Sequence, residues 1–258
     1  MKKKRKLLNW IIGISIAFLI IGIGAAVAVY QLFEAEKTSL AAPSAKDQAR
    51  EQFLGTIGET AREVAANHDL YASVMIAQAS LESHFGTSAL GSSPNFNLYG
   101  IKGQYDKQSV QFDTQEDDGK GNMSTVQANF RKYPSYEASM DDYANLLATG
   151  TSWDPTIYKE AFKTNARTYL EATNALTGTY ATDSSYEDKL NALIAQYHLD
   201  AYDTVVTKKT VEAGFFDNVE DLSETYHIEP TLIRQWNHLK TNELKKGDKI
   251  ILYIPVTN

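Results

Sequence analysis

The chain has 258 residues, no cysteine and a formal net charge of −7. That length suits one or two domains with a real hydrophobic core. The acidic balance argues against a nucleic-acid binder, which needs a basic face, and a cysteine-free chain does not depend on oxidation to fold.

The charge is unevenly spread. Residues 2–6 read Lys-Lys-Lys-Arg-Lys, which leaves −12 on everything after them (−7 less +5). From Leu7 to Phe33 no side chain is charged, and Trp10 and Tyr30 sit near the two ends. About 20 apolar residues suffice for a helix to cross the hydrocarbon layer. Aromatic residues collect at its two interfaces, and a basic block before a span stays on the cytoplasmic side. Residues 1–33 are therefore expected to be a basic cytoplasmic segment and a single-pass transmembrane anchor in the cell membrane, with the rest of the chain extracellular. Ala26-Val27-Ala28 offers the rival reading of a cleaved signal peptide. The apolar run, however, is longer than the usual 7–15 residues of a signal core. Gly22 and Ala26, like Gly24 and Ala28, place small residues four apart, as helix-packing faces in membranes do, so a membrane-protein partner is conceivable.

Residues 34–46 read as a polar spacer. From Asp47 the pattern turns helical: Phe53, Ile57, Ala61 and Val64 recur at the spacing of one buried face. A second helix is predicted over Ser73–Phe85, with Val74, Ala77, Leu81 and Phe85 as its stripe. Residues 91–130 are rich in Gly, Asn, Ser and Asp and contain alternating runs, which fits an antiparallel hairpin turning near Asp117-Asp118-Gly119. Helical patterns return at Tyr136–Leu147, Tyr158–Ala166, Tyr169–Leu176 and Tyr186–Tyr197. After a break near Asp200, residues 204–258 show a strand-like start, two short helices around Val219–Tyr226 and Pro230–Trp236, and a β-rich close at Lys249–Ile254. The expected organisation is a main, mostly helical domain over 47–200 and a small module over 204–258. Removing the module is expected to leave the first domain folded.

Little in the sequence suits metal or nucleophile chemistry. The histidines are scattered without the His-Glu-x-x-His spacing of a zinc helix, and there is no cysteine nucleophile. No cofactor is called for. Glycoside cleavage needs a carboxyl group that stays protonated near neutral pH, and such a group must sit where its charged form is disfavoured. Glu82 lies seven residues after Met75, four after Gln78 and three before Phe85, beside the apolar stripe. On spacing alone, a solvated glutamate is the commoner outcome. Flat aromatic faces stack on sugar rings, so Phe96, Tyr99 and Tyr133 are candidates to line a groove, though each suits the core as well. Asp183 is well placed to start the helix that follows it.

Three runs carry a resemblance. Ile76-Ala77-Gln78-Ala79-Ser80-Leu81-Glu82-Ser83 is followed by Gly86-Thr87-Ser88-Ala89-Leu90 and then by Asn97-Leu98-Tyr99-Gly100-Ile101-Lys102-Gly103. In this order they closely resemble the bacterial N-acetylglucosaminidase family of autolysins and flagellar wall hydrolases (glycoside hydrolase family 73). Phe130-Arg131-Lys132-Tyr133 and Gly178-Thr179-Tyr180-Ala181-Thr182-Asp183 continue the match over roughly residues 50–200. The resemblance implies an α+β, lysozyme-like fold, mainly helical with a small β-lobe. It also implies cleavage of the β-1,4 bond between N-acetylglucosamine and N-acetylmuramic acid in peptidoglycan glycan strands. The family's acid corresponds to Glu82. A glutamate in a Thr-x-Glu motif on the hairpin corresponds to Glu116, and a sugar-contacting tyrosine to Tyr180, although Thr179 is inserted before it here. Gln78, Asn97 and Asp183 join Phe96, Tyr99 and Tyr133 as expected substrate-binding positions.

Residues 204–258 resemble a LysM module, a small βααβ domain that grips N-acetylglucosamine-containing glycans. Ile228-Glu229-Pro230-Thr231-Leu232-Ile233-Arg234-Gln235-Trp236-Asn237 and Leu244-Lys245-Lys246-Gly247-Asp248-Lys249-Ile250 carry that likeness. Where the family has a Gly-Asp-Thr-Leu turn, this chain has Val211-Glu212-Ala213-Gly214-Phe215-Phe216-Asp217-Asn218. A module that only packs on the catalytic domain or binds another protein stays open. So do two other functions: a lytic transglycosylase, told apart by its 1,6-anhydro products, and a non-catalytic wall-binding membrane scaffold, told apart by a zymogram.

Overall fold

In the computed structural model, residues 44–117, 123–215 and 217–256 are described. The expected anchor at Leu7–Phe33 lies outside the described residues. Among those described, no helix is long and apolar enough to cross a membrane.

Helix α1 spans Ala45–Asn67. Ser44 caps it by accepting a hydrogen bond from the Asp47 backbone N–H at 3.2 Å, which satisfies one of the donors a helix start leaves open. Its buried face includes Phe53, Leu54, Ile57, Ala61 and Val64, the stripe read from the sequence. Helix α2, Ala72–Glu82, runs through the centre, and every residue from Ala72 to Ser80 is buried. An apolar helix enclosed on all sides is a core helix. Its start is capped from far along the chain: the Asp203 carboxylate accepts from the Ser73 N–H at 2.9 Å and the Ser73 hydroxyl at 2.6 Å.

The β-lobe is one antiparallel hairpin, β1 (Ser109–Asp117) with β2 (Met123–Arg131), in a register that sets Thr114 opposite Val126. The expected turn near Asp117-Asp118-Gly119 falls mostly outside the described residues, between the strand ends at Asp117 and Met123. Helices α3 (Tyr136–Thr149), α4 (Tyr169–Leu176) and α5 (Tyr186–Tyr197) follow the predicted periodicities. The predicted helix at 158–166 is absent, and only a 3-10 turn at Lys159–Ala161 forms there. Tyr158, Ala161 and Ala166 are buried at near-helical spacing, but the segment is a winding loop. Its end is tied down by Asp69, whose carboxylate accepts from the Thr164 N–H at 3.0 Å. A burial period cannot tell such a loop from a helix.

After a second 3-10 turn, Leu199–Asp203, the tail forms β3 (Val206–Glu212), α6 (Val219–Tyr226), α7 (Pro230–Asn237) and β4 (Lys249–Pro255). Strands β3 and β4 pair antiparallel, so the order is strand–helix–helix–strand. The tail packs closely on α1. The Arg234 guanidinium donates to both oxygens of Glu51, each at 2.9 Å, with the side chains 9% and 6% exposed. A Cβ at Gly55 would lie 2.0 Å from the Gln235 carbonyl oxygen, so the backbones of α1 and α7 meet there only because the residue is glycine. Residues Ser44–Asn258 fall in one compact unit, which places both expected segments, 47–200 and 204–258, together.

Candidate active site

Glu82 is the last residue of α2. The helix stops there, three residues before the predicted Phe85. The Ser83 hydroxyl donates to the Ala79 carbonyl and accepts from the Gly86 N–H, while His84, Phe85 and Gly86 all take positive φ. The chain turns away sharply, and the Glu82 carboxyl is left half-buried at the helix end.

Tyr186, the first residue of α5, donates its phenol proton to Glu82 Oε1 at 2.8 Å. The same phenol oxygen accepts from Gln78 Nε2 at 3.0 Å. Gln78 and Glu82 are one helical turn apart, so a single tyrosine reaches both. Gln78 is fully buried, and its Oε1 accepts from the Tyr143 hydroxyl on α3. Around this chain the tyrosines pack against one another. Tyr99 stacks on Tyr143 at 4.0 Å between ring centroids, Tyr180 lies 6.2 Å from Tyr186 at a 21° interplanar angle, and Tyr143 meets Tyr180 edge-on at 5.9 Å.

This environment sets the chemistry of Glu82. Burial raises its pKa above the ordinary carboxyl value, and that outweighs the opposing pull of the Tyr186 hydrogen bond and of the nearby His84 charge. Burial, followed by the Glu82 charge, pushes the Tyr186 phenol far up, so Tyr186 is a neutral donor throughout the useful pH range. A carboxyl group held protonated to higher pH, anchored by one oxygen at a helix end, is the arrangement a general acid needs.

The other expected site residues divide sharply. Tyr180 is partly buried beside Tyr186, and its hydroxyl donates to the Tyr99 backbone carbonyl at 3.0 Å. Gln78 is buried behind Glu82, with its amide engaged by Tyr186 and Tyr143. Asn97, 1% exposed, pins the loop before β1: its amide donates to the Ile101 and Arg131 carbonyls at 2.9 and 2.8 Å, and its Oδ1 accepts from the Ile101 N–H. Tyr99 and Tyr133 are core residues, and the Tyr133 hydroxyl donates to Asp142 at 2.6 Å. Of the groove candidates, Tyr99 and Tyr133 thus take the core alternative that the sequence also allowed, and Asn97, expected to bind substrate, is buried as well. Phe96 remains partly exposed and meets Tyr136 edge-on at 5.2 Å. Asp183 is exposed, and its carboxylate accepts from the Ser185 N–H and hydroxyl at 2.9 and 2.7 Å, which organises the turn into α5. Lys189, ahead of the Ser185 bonds, holds its pKa well below the usual carboxylate range. Glu116 stands opposite Ser124 in the hairpin ladder, and its side chain lies outside what is described.

Tyr186 and Tyr143 went unremarked in the sequence. Both fall inside predicted helices; the four-residue spacing of Gln78 and Glu82 puts those two on one helix face but does not name a partner 65 or 108 residues away. A separate groove of about 630 Å³ lies among α1, α2 and α5, lined by Leu81, Phe85, Ala192, Leu193, Arg50 and Lys189; Glu82 is not part of it.

The glucosaminidase family, described as mannosyl-glycoprotein endo-beta-N-acetylglucosaminidase, matches residues 58–199, over half of the chain. The chain belongs to this family. A probable N-acetylmuramidase of Lactococcus lactis is 37% identical over 231 residues, covering 81% of this chain and 52% of the relative. The exo-glucosaminidase LytG of Bacillus subtilis is 38% identical over 204 residues, covering 79% of this chain and 69% of LytG. The crystal structure of the catalytic domain of the autolysin Auto from Listeria monocytogenes matches with a TM-score of 0.58 and 44% identity, covering 67% of this chain and 97% of that domain. The chain spans between 24% and 52% of the length of several curated relatives. The glucosaminidase domain thus has the mixed helix-plus-sheet, lysozyme-like fold that its motifs implied, and Glu82 closes the buried central helix of that fold.

Proposed function

We propose that this glucosaminidase-family chain is a peptidoglycan hydrolase that cuts the β-1,4 bond between N-acetylglucosamine and N-acetylmuramic acid in cell-wall glycan strands. The observation that carries this reading is the half-buried carboxyl of Glu82, raised in pKa and held on one oxygen by Tyr186. Glu82 gives its proton to the glycosidic oxygen as the C1–O bond breaks, and water then adds to the oxocarbenium-like centre. Glu116 is proposed as the group that activates this water. Tyr180, stacked beside Tyr186, is proposed to steady the sugar at the positive centre.

The related proteins carry names for different bonds, an N-acetylmuramidase and an exo-glucosaminidase. Mass spectrometry of a wall digest decides between them. N-acetylglucosamine at the new reducing end supports the proposal. N-acetylmuramic acid there would mean a muramidase, and 1,6-anhydro ends a lytic transglycosylase. No release of sugars, in a zymogram as in solution, would leave the wall-binding scaffold.

The uncharged run Leu7–Phe33 behind five positive residues supports placing the enzyme on the outer face of the cell membrane by one N-terminal span. Protease added to wall-stripped cells should then degrade residues beyond 34, and full protection would overturn the placement. The strand–helix–helix–strand tail supports a LysM-like module. A glycan pull-down with an isolated tail would separate sugar binding from a purely structural role.

A further inference from the structure

The hydrogen bonds behind Glu82 have a direction. Tyr143 donates to Gln78 Oε1, Gln78 Nε2 donates to Tyr186, and Tyr186 donates to Glu82 Oε1. A tyrosine hydroxyl has one proton, and an amide has a donor end and an acceptor end. Reversing the chain would have Glu82 donate to Tyr186, Tyr186 donate to the Gln78 carbonyl, and the amide turn its NH₂ toward Tyr143. The Tyr143 proton would then need another acceptor. Among the described residues Gln78 is its partner, and the ring is locked between Tyr99 and Tyr180. A buried hydroxyl proton with no acceptor is costly, so the forward direction holds.

We propose that Tyr143, acting through the Gln78 amide, locks Tyr186 as a donor to Glu82 Oε1, so that the catalytic proton resides on Oε2. Tyr143 and Gln78 are positioning residues: they touch neither the sugar nor the acid's reactive oxygen, yet they decide which oxygen carries the proton. The lock also disfavours the protonated acid, because a fixed Tyr186 donor bonds the charged carboxylate more strongly than the neutral carboxyl's carbonyl oxygen. It thereby checks the upward push that burial gives Glu82 and keeps the acid ready to release its proton.

The inference rests on Glu82 being the acid of a wall hydrolase, and its test separates the two ideas. Glu82 is titrated in the purified full-length protein by NMR of the ¹³C-labelled carboxyl, beside the pH–rate profile on cell-wall glycan. Y143F should raise the Glu82 midpoint and move the alkaline limb of the profile to higher pH by about one unit, the scale of one hydrogen bond to a charged group. Y186F should move both in the same direction. The double variant should match Y186F alone, because without the Tyr186 hydroxyl the hydrogen-bond path from Tyr143 to Glu82 is broken. An additive double variant, or Y143F titrating like wild type, overturns the relay. Should Y143F fail to fold, Q78M cuts the same link and must give the same upward shift; an unshifted midpoint in Q78M overturns the relay equally. A wild-type protein that titrates as described but cuts no glycan would sink the hydrolase reading and leave the relay standing.

Discussion

At Glu82, burial and hydrogen bonding pull in opposite directions, and burial wins. Glu82→Gln keeps the size and the Tyr186 contact but cannot supply a proton. Glycan hydrolysis should fall by about 10²–10⁴-fold, the usual worth of a general acid, while circular dichroism stays unchanged. The same change should stabilise the fold near neutral pH. Because the folded state raises the Glu82 pKa, the folded protein holds that proton more tightly than the unfolded chain. The group's contribution is therefore fully present below the ordinary carboxyl range and is lost as pH rises through the folded value. Thermal unfolding should show E82Q above wild type at pH 7, with the gap closing below about pH 4. Tyr180→Phe removes a hydroxyl bound to the Tyr99 carbonyl. It should cost about 1 kcal/mol of stability in denaturant melts and less activity than E82Q. Glu116→Gln should also cost less than E82Q, since water replaces a distant base more readily than a proton donor. A silent E116Q beside a severe Y180F would favour help from the substrate's own N-acetyl group.

The element that matters most is α2, a helix buried from Ala72 to Ser80 and ended at the proposed acid, Glu82. The second is α7, which the tail presses onto α1. The Arg234–Glu51 pair joins them with both charges out of water, and removing one partner leaves the other buried and unpaired. Glu51→Ala should therefore destabilise by about 3–5 kcal/mol, whereas a Glu51→Leu, Arg234→Met double change should recover much of that loss. Urea titration of the single and double variants measures the difference. Gly55→Ala should be severe for a simpler reason: its methyl group would overlap the Gln235 carbonyl.

For the molecule as a whole, the tail is part of the structure that carries the acid. Tyr202 on the 3-10 turn donates to Gln235 at 3.2 Å, and the Arg62 guanidinium of α1 gathers the carbonyls of Ala201 and Tyr202 at 3.1 and 3.0 Å. Asp203, on the same turn, caps α2. The tail, α1 and the start of the catalytic helix are thus linked by a short set of contacts. The composition break near Asp200 suggested a domain that stands without the tail. With these contacts in place, deleting residues 204–258 should uncover the Gly55 and Glu51 side of α1 and lower the thermal midpoint by about 10 °C or more, in proportion to several kcal/mol in a chain of this size. A truncated protein melting like the full chain would show that the contacts contribute little.

Periodicity alone was enough to place α1, α3, α4, α5 and the hairpin, because the spacing of apolar residues reports which face is buried. The ordered motifs around Glu82 carried the family and pointed to Glu82 as the candidate acid. Neither could say which neighbour a buried face would meet. Tyr186 reaches Glu82 across 104 residues, and Arg234 reaches Glu51 across 183. Tyr99 and Tyr133 suit a groove or a core equally well in a string and are core in three dimensions, where the Met75 carbonyl and the Asp142 carboxylate accept their hydroxyl protons. The sequence by itself determined five of the helices of the main domain to within a few residues, the hairpin and Glu82 as the candidate acid, since those depend on local spacing and local motif. Only the tertiary structure decided how the acid is held and how the tail is joined, since a hydrogen bond depends on where two distant segments come to rest.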